Sequence, residues 1–161
     1  MRIASAAVLA LLSYLIGTML ADCENQKIKA IDSLVDLLSY MRRRIYGERM
    51  PLCRVFAEYR NEYLEGVGFL SVLRGQRSGF QRLWNSAIGL INADEEILRE
   101  LYIFGDALGT LELEEQIKRI DICLEALRQA RDEAAKAMPQ KKKSIKTVCL
   151  LIGLLTAIIL L

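Results

Sequence analysis

Residues 28–47 read IKAIDSLVDLLSYMRRRIYG, and this stretch decides the predicted fold. Apolar side chains recur in it every three or four positions, at Ile28, Ile31, Leu34, Val35, Leu38, Met41 and Ile45. This spacing is typical of an amphipathic helix that buries one face. We therefore predict a helix that continues from the apolar residues before it without a break and ends at Gly47.

Glycine, proline and capping residues divide the chain after this helix into shorter helices. Pro51 suits the first position of a second helix, and Gly66 and Gly68 break the chain after it. Ser78 is a candidate N-cap for a helix that carries Trp84.

Two further helices complete the middle of the chain. Asn92 or Asp94 is the predicted cap of the first, and Gly109 is predicted to end it in a left-handed conformation. The second is predicted at about 111–138, and Pro139 separates it from the C-terminal segment. No segment alternates apolar and polar residues as a strand does, so we predict an all-α bundle of about six helices.

Both ends of the chain are apolar and nearly free of charge. Residues 3–21 give about 28 Å of helix, close to the thickness of a hydrocarbon core. Residues 147–161 give about 22 Å, or about 27 Å when the helix starts at Ser144 and Lys146 extends to the interface. We therefore predict transmembrane anchors in 1–21 and in 141–161, whose first residues are a basic flank, on either side of a helical domain at 22–140.

Each predicted anchor has an alternative. The first resembles a signal peptide, but cleavage after Ala21 would place Met19 where a small residue is required. A lipoprotein site at Cys23 is disfavoured because Asp22 precedes it. The alternative for the second is a buried core helix, which would show a polar edge. An uncleaved first anchor is the favoured interpretation.

Basic residues predict the side of the membrane on which the middle of the chain lies. Lys27 and Lys29 follow the first anchor, and four lysines within 141–146 precede the second. By the positive-inside rule, the helical domain is cytoplasmic and both termini lie outside. The four cysteines are widely spaced and suggest no disulfide framework.

The sequence lacks the patterns that most catalytic sites require. It contains no histidine, no C-x-x-C pair and no phosphate-binding P-loop. The acidic pairs Glu95–Glu96 and Glu114–Glu115 are interpreted as solvated helix faces. We therefore expect no enzymatic activity, no metal and no cofactor.

Two basic clusters are candidate contacts for a protein partner or for lipid. They consist of Arg42, Arg43 and Arg44 before an aromatic residue, and of Arg74, Arg77 and Arg82 near Phe80 and Trp84. The alternative is a solvated helix end, where cations are favoured. Nucleic acid is not expected as a partner, because the net charge is only +2.

Small residues in the first anchor recur at steps of three or four and share one helix face. They are Ala6, Ala10, Ser13, Gly17 and Ala21. Membrane helices pack closely where small residues meet, so this face is a candidate helix–helix seam. Its partner is either the second anchor, where Gly153 and Ala157 are four apart, or another membrane protein; a chance pattern is the alternative.

Two stretches carry a resemblance to a known family. They are RRRIYGERMPLCRVF at 42–56 and LYIFGDALGTLELEEQIKRIDICLEAL at 101–127. Together with Trp84 and the two apolar ends, they resemble the stage III sporulation protein AB family. This resemblance implies a domain similar to the cytoplasmic domains of inner-membrane platform proteins of type II secretion and type IV pilus machines. It also implies an assembly that links mother cell and forespore.

The expected function is therefore a non-enzymatic membrane scaffold in the sporulation channel complex, located in the cell membrane with its domain on the mother cell side. The implied partners are other membrane proteins of that complex, its secretion-type ATPase and membrane lipid. The alternatives are a membrane-anchored enzyme with an unrecognised carboxylate site and a lipid-binding membrane sensor.

Overall fold

The computed structural model describes residues 2–75, 79–108 and 112–160, without most side chains of the first and last apolar segments. Its seven helices are α1 (Arg2–Glu48), α2 (Leu52–Glu58), α3 (Glu62–Gly66), α4 (Phe69–Leu73), α5 (Phe80–Ile88), α6 (Glu95–Ala107) and α7 (Leu113–Leu160). No strand occurs within these ranges, so the predicted all-α fold is confirmed. The chain divides into two compact units: residues 27–132, called the bundle unit here, and residues 1–26 with 133–161, called the terminal unit.

The predicted first helix is confirmed. α1 is continuous from Arg2 to Glu48, and the apolar stripe of 31–45 is buried in the bundle unit. The stripe is the reason for the fold, because an amphipathic helix is stabilised mainly by packing its apolar face. Of the predicted stripe, Ile28 is only half-buried.

The turn that follows α1 differs from the prediction at Pro51. This residue is the N-cap of α2, not its first helical residue, because its ψ of 146° is extended. Its carbonyl accepts hydrogen bonds from the backbone N–H groups of Arg54 and Val55, at 3.0 and 3.2 Å. Asn61 is the N-cap of the next helix, α3, and its side chain accepts a 3.0 Å hydrogen bond from the N–H of Leu64.

The predicted break at the paired glycines is confirmed. α3 ends at Gly66, and Gly68 adopts a φ of +83° before α4 begins. Glycine suits this left-handed conformation because it has no β-carbon. Ser78, the candidate cap of α5, lies outside the described residues, and Gly79 is the N-cap there.

Asp94, rather than Asn92, is the residue that precedes α6. It takes the N-cap position with an extended ψ of 150°, but its side chain makes no cap hydrogen bond. The carboxylate instead pairs with the ammonium group of Lys27 at 2.7 Å. Gly109, the predicted left-handed C-cap, lies outside the described residues.

The prediction that Pro139 ends a helix is wrong. α7 runs unbroken from Leu113 to Leu160 with Pro139 inside it. A proline within a helix removes one backbone hydrogen bond to the residue four positions earlier. That residue is Ala135, and both it and Pro139 are exposed, so water can satisfy the freed carbonyl.

Trp84 is the centre of the bundle unit's core. Its side chain is fully buried, and its indole N–H donates a 2.8 Å hydrogen bond to the carbonyl of Leu101. Four phenylalanines surround the indole with ring centroids 5.4 to 6.4 Å away: Phe56, Phe69, Phe80 and Phe104. Aromatic pairs at such distances contribute about 0.5–1.5 kcal/mol each beyond area burial. This cluster therefore joins α2, α4, α5 and α6.

Candidate functional site

The first predicted basic cluster lies in the last turns of α1 and is largely engaged within the protein. Arg42 makes two hydrogen bonds to the carboxylate of Asp121 in α7, one of them 3.2 Å from Nη2 to Oδ2. The hydrogen bond and charge of Asp121 raise the pKa of Arg42. Both side chains are nearly half exposed, so the pair fixes geometry more than it adds stability.

Arg44 is held by its own helix and by α2. Its guanidinium group bonds the carboxylate of Glu48, with one contact of 2.6 Å, and lies 3.6 Å from Glu58. It also donates to the hydroxyl of Tyr40 at 3.1 Å. The hydrogen bond to Glu48 is the largest cause that raises the pKa of Arg44. Arg43 is exposed and meets only the Tyr40 ring, 5.6 Å from its centroid, among the described residues.

Arg74 of the second predicted cluster stabilises the link between α2 and α3 by hydrogen bonds. Its guanidinium group donates to the carbonyls of Phe56 and Tyr59 at 3.1 and 2.7 Å, and to Glu65 at 3.1 Å. These bonds satisfy carbonyls at the C-terminal end of α2, where helical partners are absent. Arg77 lies outside the described residues. Among the described arginines, Arg42, Arg44 and Arg74 thus make separate contacts within the protein.

The outer surface of α6 was not predicted. It is defined here by Leu98, Tyr102 and Ile103 with Glu95, Glu96, Arg99 and Asp106, which border an open surface depression of about 700 Å³. Tyr102 and Ile103 are 37% and 48% exposed, although α6 already buries Ile97, Leu101 and Phe104 on its other face. The signal in the sequence is the apolar run at 101–104, because one buried face needs apolar residues only every three or four positions.

The terminal unit exposes many large apolar side chains. This apolar band comprises Leu12, Leu15, Ile16, Met19, Leu20, Val148, Leu150, Leu151, Ile152 and Leu155, each between 48% and 71% exposed. Contiguous exposed apolar surface marks contact with a protein, a ligand or a membrane.

The described residues do not by themselves supply a membrane span. No helix among them is both long enough and apolar enough to cross a membrane. Most side chains of the predicted spans, 3–21 and 147–161, lie outside the described residues. The two anchors stay a prediction.

Gly17 of the predicted seam is buried in the terminal unit. A β-carbon added there would lie 3.1 Å from the β-carbon of Cys149 and 3.3 Å from its sulfur. Gly153, one turn further along α7, is also buried. The side chains of Ala6, Ala10, Ser13 and Ala21 lie outside those described. The absence of a side chain at Gly17 therefore allows α1 and α7 to approach closely there.

Lysines border the apolar band along α7. Lys141 pairs with Glu24 of α1 at 3.3 Å. Lys143 and Lys146 are exposed and have no acidic partner among the described residues. They are separated by three positions, so they lie on the same side of the helix.

Cys123 is a buried nucleophilic group of the bundle unit. Burial, with a smaller effect of Glu100, raises the pKa of the Cys123 thiol to about 12. That thiol is protonated at neutral pH and is a poor nucleophile. Within the described ranges, no three cysteine, aspartate or glutamate side chains could hold a metal ion.

Comparison with known proteins identifies a family. The family model described as stage III sporulation protein AB matches residues 2–161. No curated protein and no solved structure matches the chain.

Proposed function

The chain belongs to the stage III sporulation protein AB family, and we propose that it is a non-enzymatic membrane scaffold in a secretion-like complex of sporulation. The proposal includes anchoring by both ends of the chain and a bundle unit that contacts partner proteins. It also includes a likeness of the bundle unit to the cytoplasmic domains of type II secretion platform proteins.

The single observation that carries the proposal is the apolar band of the terminal unit. Ten large apolar side chains there are about half exposed or more. Apolar surface exposed to water raises the free energy by about 25 cal/mol per Å², and contact with lipid removes this cost. The uncharged segments at 3–21 and 147–161 agree with this interpretation, since their lengths approach that of a bilayer core.

The outer surface of α6 supports the role as a scaffold. Exposed Tyr102 and Ile103 lie among acidic and basic side chains, which is the composition of a protein contact: an apolar centre with a polar rim. The proposed occupants are other membrane proteins of the stage III complex or its secretion-type ATPase.

The absence of enzymatic activity is supported by the use of the charged groups. Arg42, Arg44 and Arg74 each bind carboxylates or carbonyls of the same chain. Their guanidinium groups are thus used for contacts within the fold.

Membrane extraction tests the anchoring. The full chain expressed in sporulating cells should sediment with membranes, resist alkaline carbonate and be released by detergent. From detergent it should co-purify with other stage III proteins, and Ile103→Glu should lose them while remaining in the membrane. Ile122→Glu, on α7 and about half exposed, is the matched control. Release by carbonate alone would refute the anchors, and equal co-purification of both variants would refute the α6 contact.

Cys53 provides a test of the cytoplasmic orientation. It is exposed, so folding does not shield it from reagents. In a variant with the other three cysteines replaced by serine, a thiol reagent that cannot cross membranes should label Cys53 only after the membrane is opened. Labelling in intact cells would place the bundle unit outside.

A further inference from the structure

We infer that Lys143 and Lys146 form a contact site for the headgroups of anionic phospholipids. The inference depends on the proposed membrane anchoring. It adds a preference for one lipid class, which the anchoring alone does not require. Both lysines belong to the terminal unit and lie on one continuous helix with the part of the apolar band that α7 contributes.

The charge of these two lysines is not neutralised within the described part of the chain. Lys141, only two positions before Lys143, pairs with Glu24. Lys143 and Lys146 are exposed and meet no carboxylate there. The nearest acidic residue before them in α7 is Glu133, about 15 Å from Lys143 along the helix. Two exposed cations are therefore left for an external anion, beside the half-buried Lys142.

The position of the two lysines along α7 indicates that this anion is a lipid headgroup. On α7 the apolar band begins at Val148, two positions after Lys146, so Lys146 marks the border of the band. Lys143 lies about 4.5 Å from this border along the helix. A headgroup layer is roughly 5–7 Å thick on each side of the hydrocarbon core. Both ammonium groups are thus within reach of lipid phosphates.

The distance from the border along α7 also identifies a control residue. Lys136 is also exposed and lies on the same side of α7 as Lys143, seven positions away. It is about 15 Å from the border, beyond the headgroup layer. Removing its charge changes the net charge of the protein equally but removes no headgroup contact.

The test compares lipid selectivity of the full chain in phosphatidylcholine vesicles. Spin-labelled phosphatidylglycerol or spin-labelled phosphatidylcholine is added, and the fraction of each label immobilised by the protein is measured by electron paramagnetic resonance. A lysine near an anionic surface is worth roughly a five-fold change in association. The unmodified chain should therefore prefer the anionic label by about five-fold or more, and added salt should weaken this preference.

Two double variants decide whether these lysines are responsible. Lys143→Gln with Lys146→Gln should reduce the preference to nearly one, whereas Lys118→Gln with Lys136→Gln should retain it. Equal immobilisation of both labels by the unmodified chain overturns the inference and leaves the anchoring intact. Equal loss in both double variants overturns it too, since the effect is then one of net charge. If neither label is immobilised, the anchoring itself is wrong.

Discussion

Gly105 lies against the indole of Trp84 so closely that no side chain fits between them. A β-carbon built on Gly105 would be 2.1 Å from Cδ1 and 2.6 Å from Nε1 of the ring. The glycine of the FG pair at 104–105 therefore permits α6 to approach α5, and it lets the indole N–H reach the carbonyl of Leu101.

We expect Gly105→Ala to destabilise the bundle unit by about 3 kcal/mol, because the added methyl group forces the buried indole or α6 to move. The measurement is the denaturant midpoint of the full chain in detergent, followed by circular dichroism. Gly66→Ala is the control, since a β-carbon there meets nothing within 4 Å. Equal midpoints for the two variants would contradict this account of the contact.

Arg74→Gln should lower the free energy of unfolding by about 1.5 kcal/mol. The variant loses the bonds that cap the carbonyls of Phe56 and Tyr59 at the end of α2, and bonds to charged groups contribute about 1.5–3 kcal/mol. Arg54→Gln should have little effect, because Arg54 is mostly exposed and pairs only with Glu58. Should Arg54→Gln destabilise the chain as much, a general charge effect would be the better explanation.

Stability should fall as the pH rises from about 9 to about 12. Burial raises the pKa of Cys123 from 9.0 to about 12, so the unfolded chain loses this proton at lower pH than the folded chain. Stability from the protonated thiol is complete below pH 9 and is lost towards pH 12. Tyr59, whose pKa burial raises from 10.0 to about 12, adds to this loss in the upper part of the range. Unfolding midpoints measured across this range should depend less steeply on pH in Cys123→Ala than in the unmodified chain.

Gly17→Cys should form a disulfide with Cys149 under mild oxidation. The two β-carbons would be 3.1 Å apart, slightly closer than in ordinary disulfides, which small helix movements can correct. Loss of two thiols and a mass two hydrogens lower in the monomer would show the bond. Leu15→Cys should not form it, because Leu15 points outward. Absence of the bond in both variants would mean that α1 does not approach α7 at Gly17.

The long α1 helix could be predicted because its spacing leaves few alternatives. Burying Ile31, Leu34, Leu38 and Met41 on one face requires a helical period, and no glycine or proline interrupts the stretch between them. The predicted helix end at Pro139 is wrong because it follows only the average tendency of proline to end helices. Pro139 is exposed in α7, and this exposure is a property of the folded chain.

Contacts between residues far apart in the sequence could not be predicted from the spacing of residue types. Arg42 and Asp121 are 79 positions apart, so the sequence showed a basic cluster where the fold contains an ion pair. Gly105 had no assigned contact, because the contact that requires a glycine comes from Trp84 on another helix. The apolar run at 101–104 did contain the signal for the outer surface of α6, since it exceeds what one buried face needs.

Trp84 is the sole tryptophan of the chain, and this makes the bundle core visible by fluorescence without any label. An indole with 0% exposure should emit at short wavelength and resist quenching by iodide in the folded state. The terminal unit contains no tryptophan, so it contributes nothing to this emission. Unfolding of the bundle unit can therefore be followed by emission wavelength in lipid vesicles, separately from any change in the terminal unit.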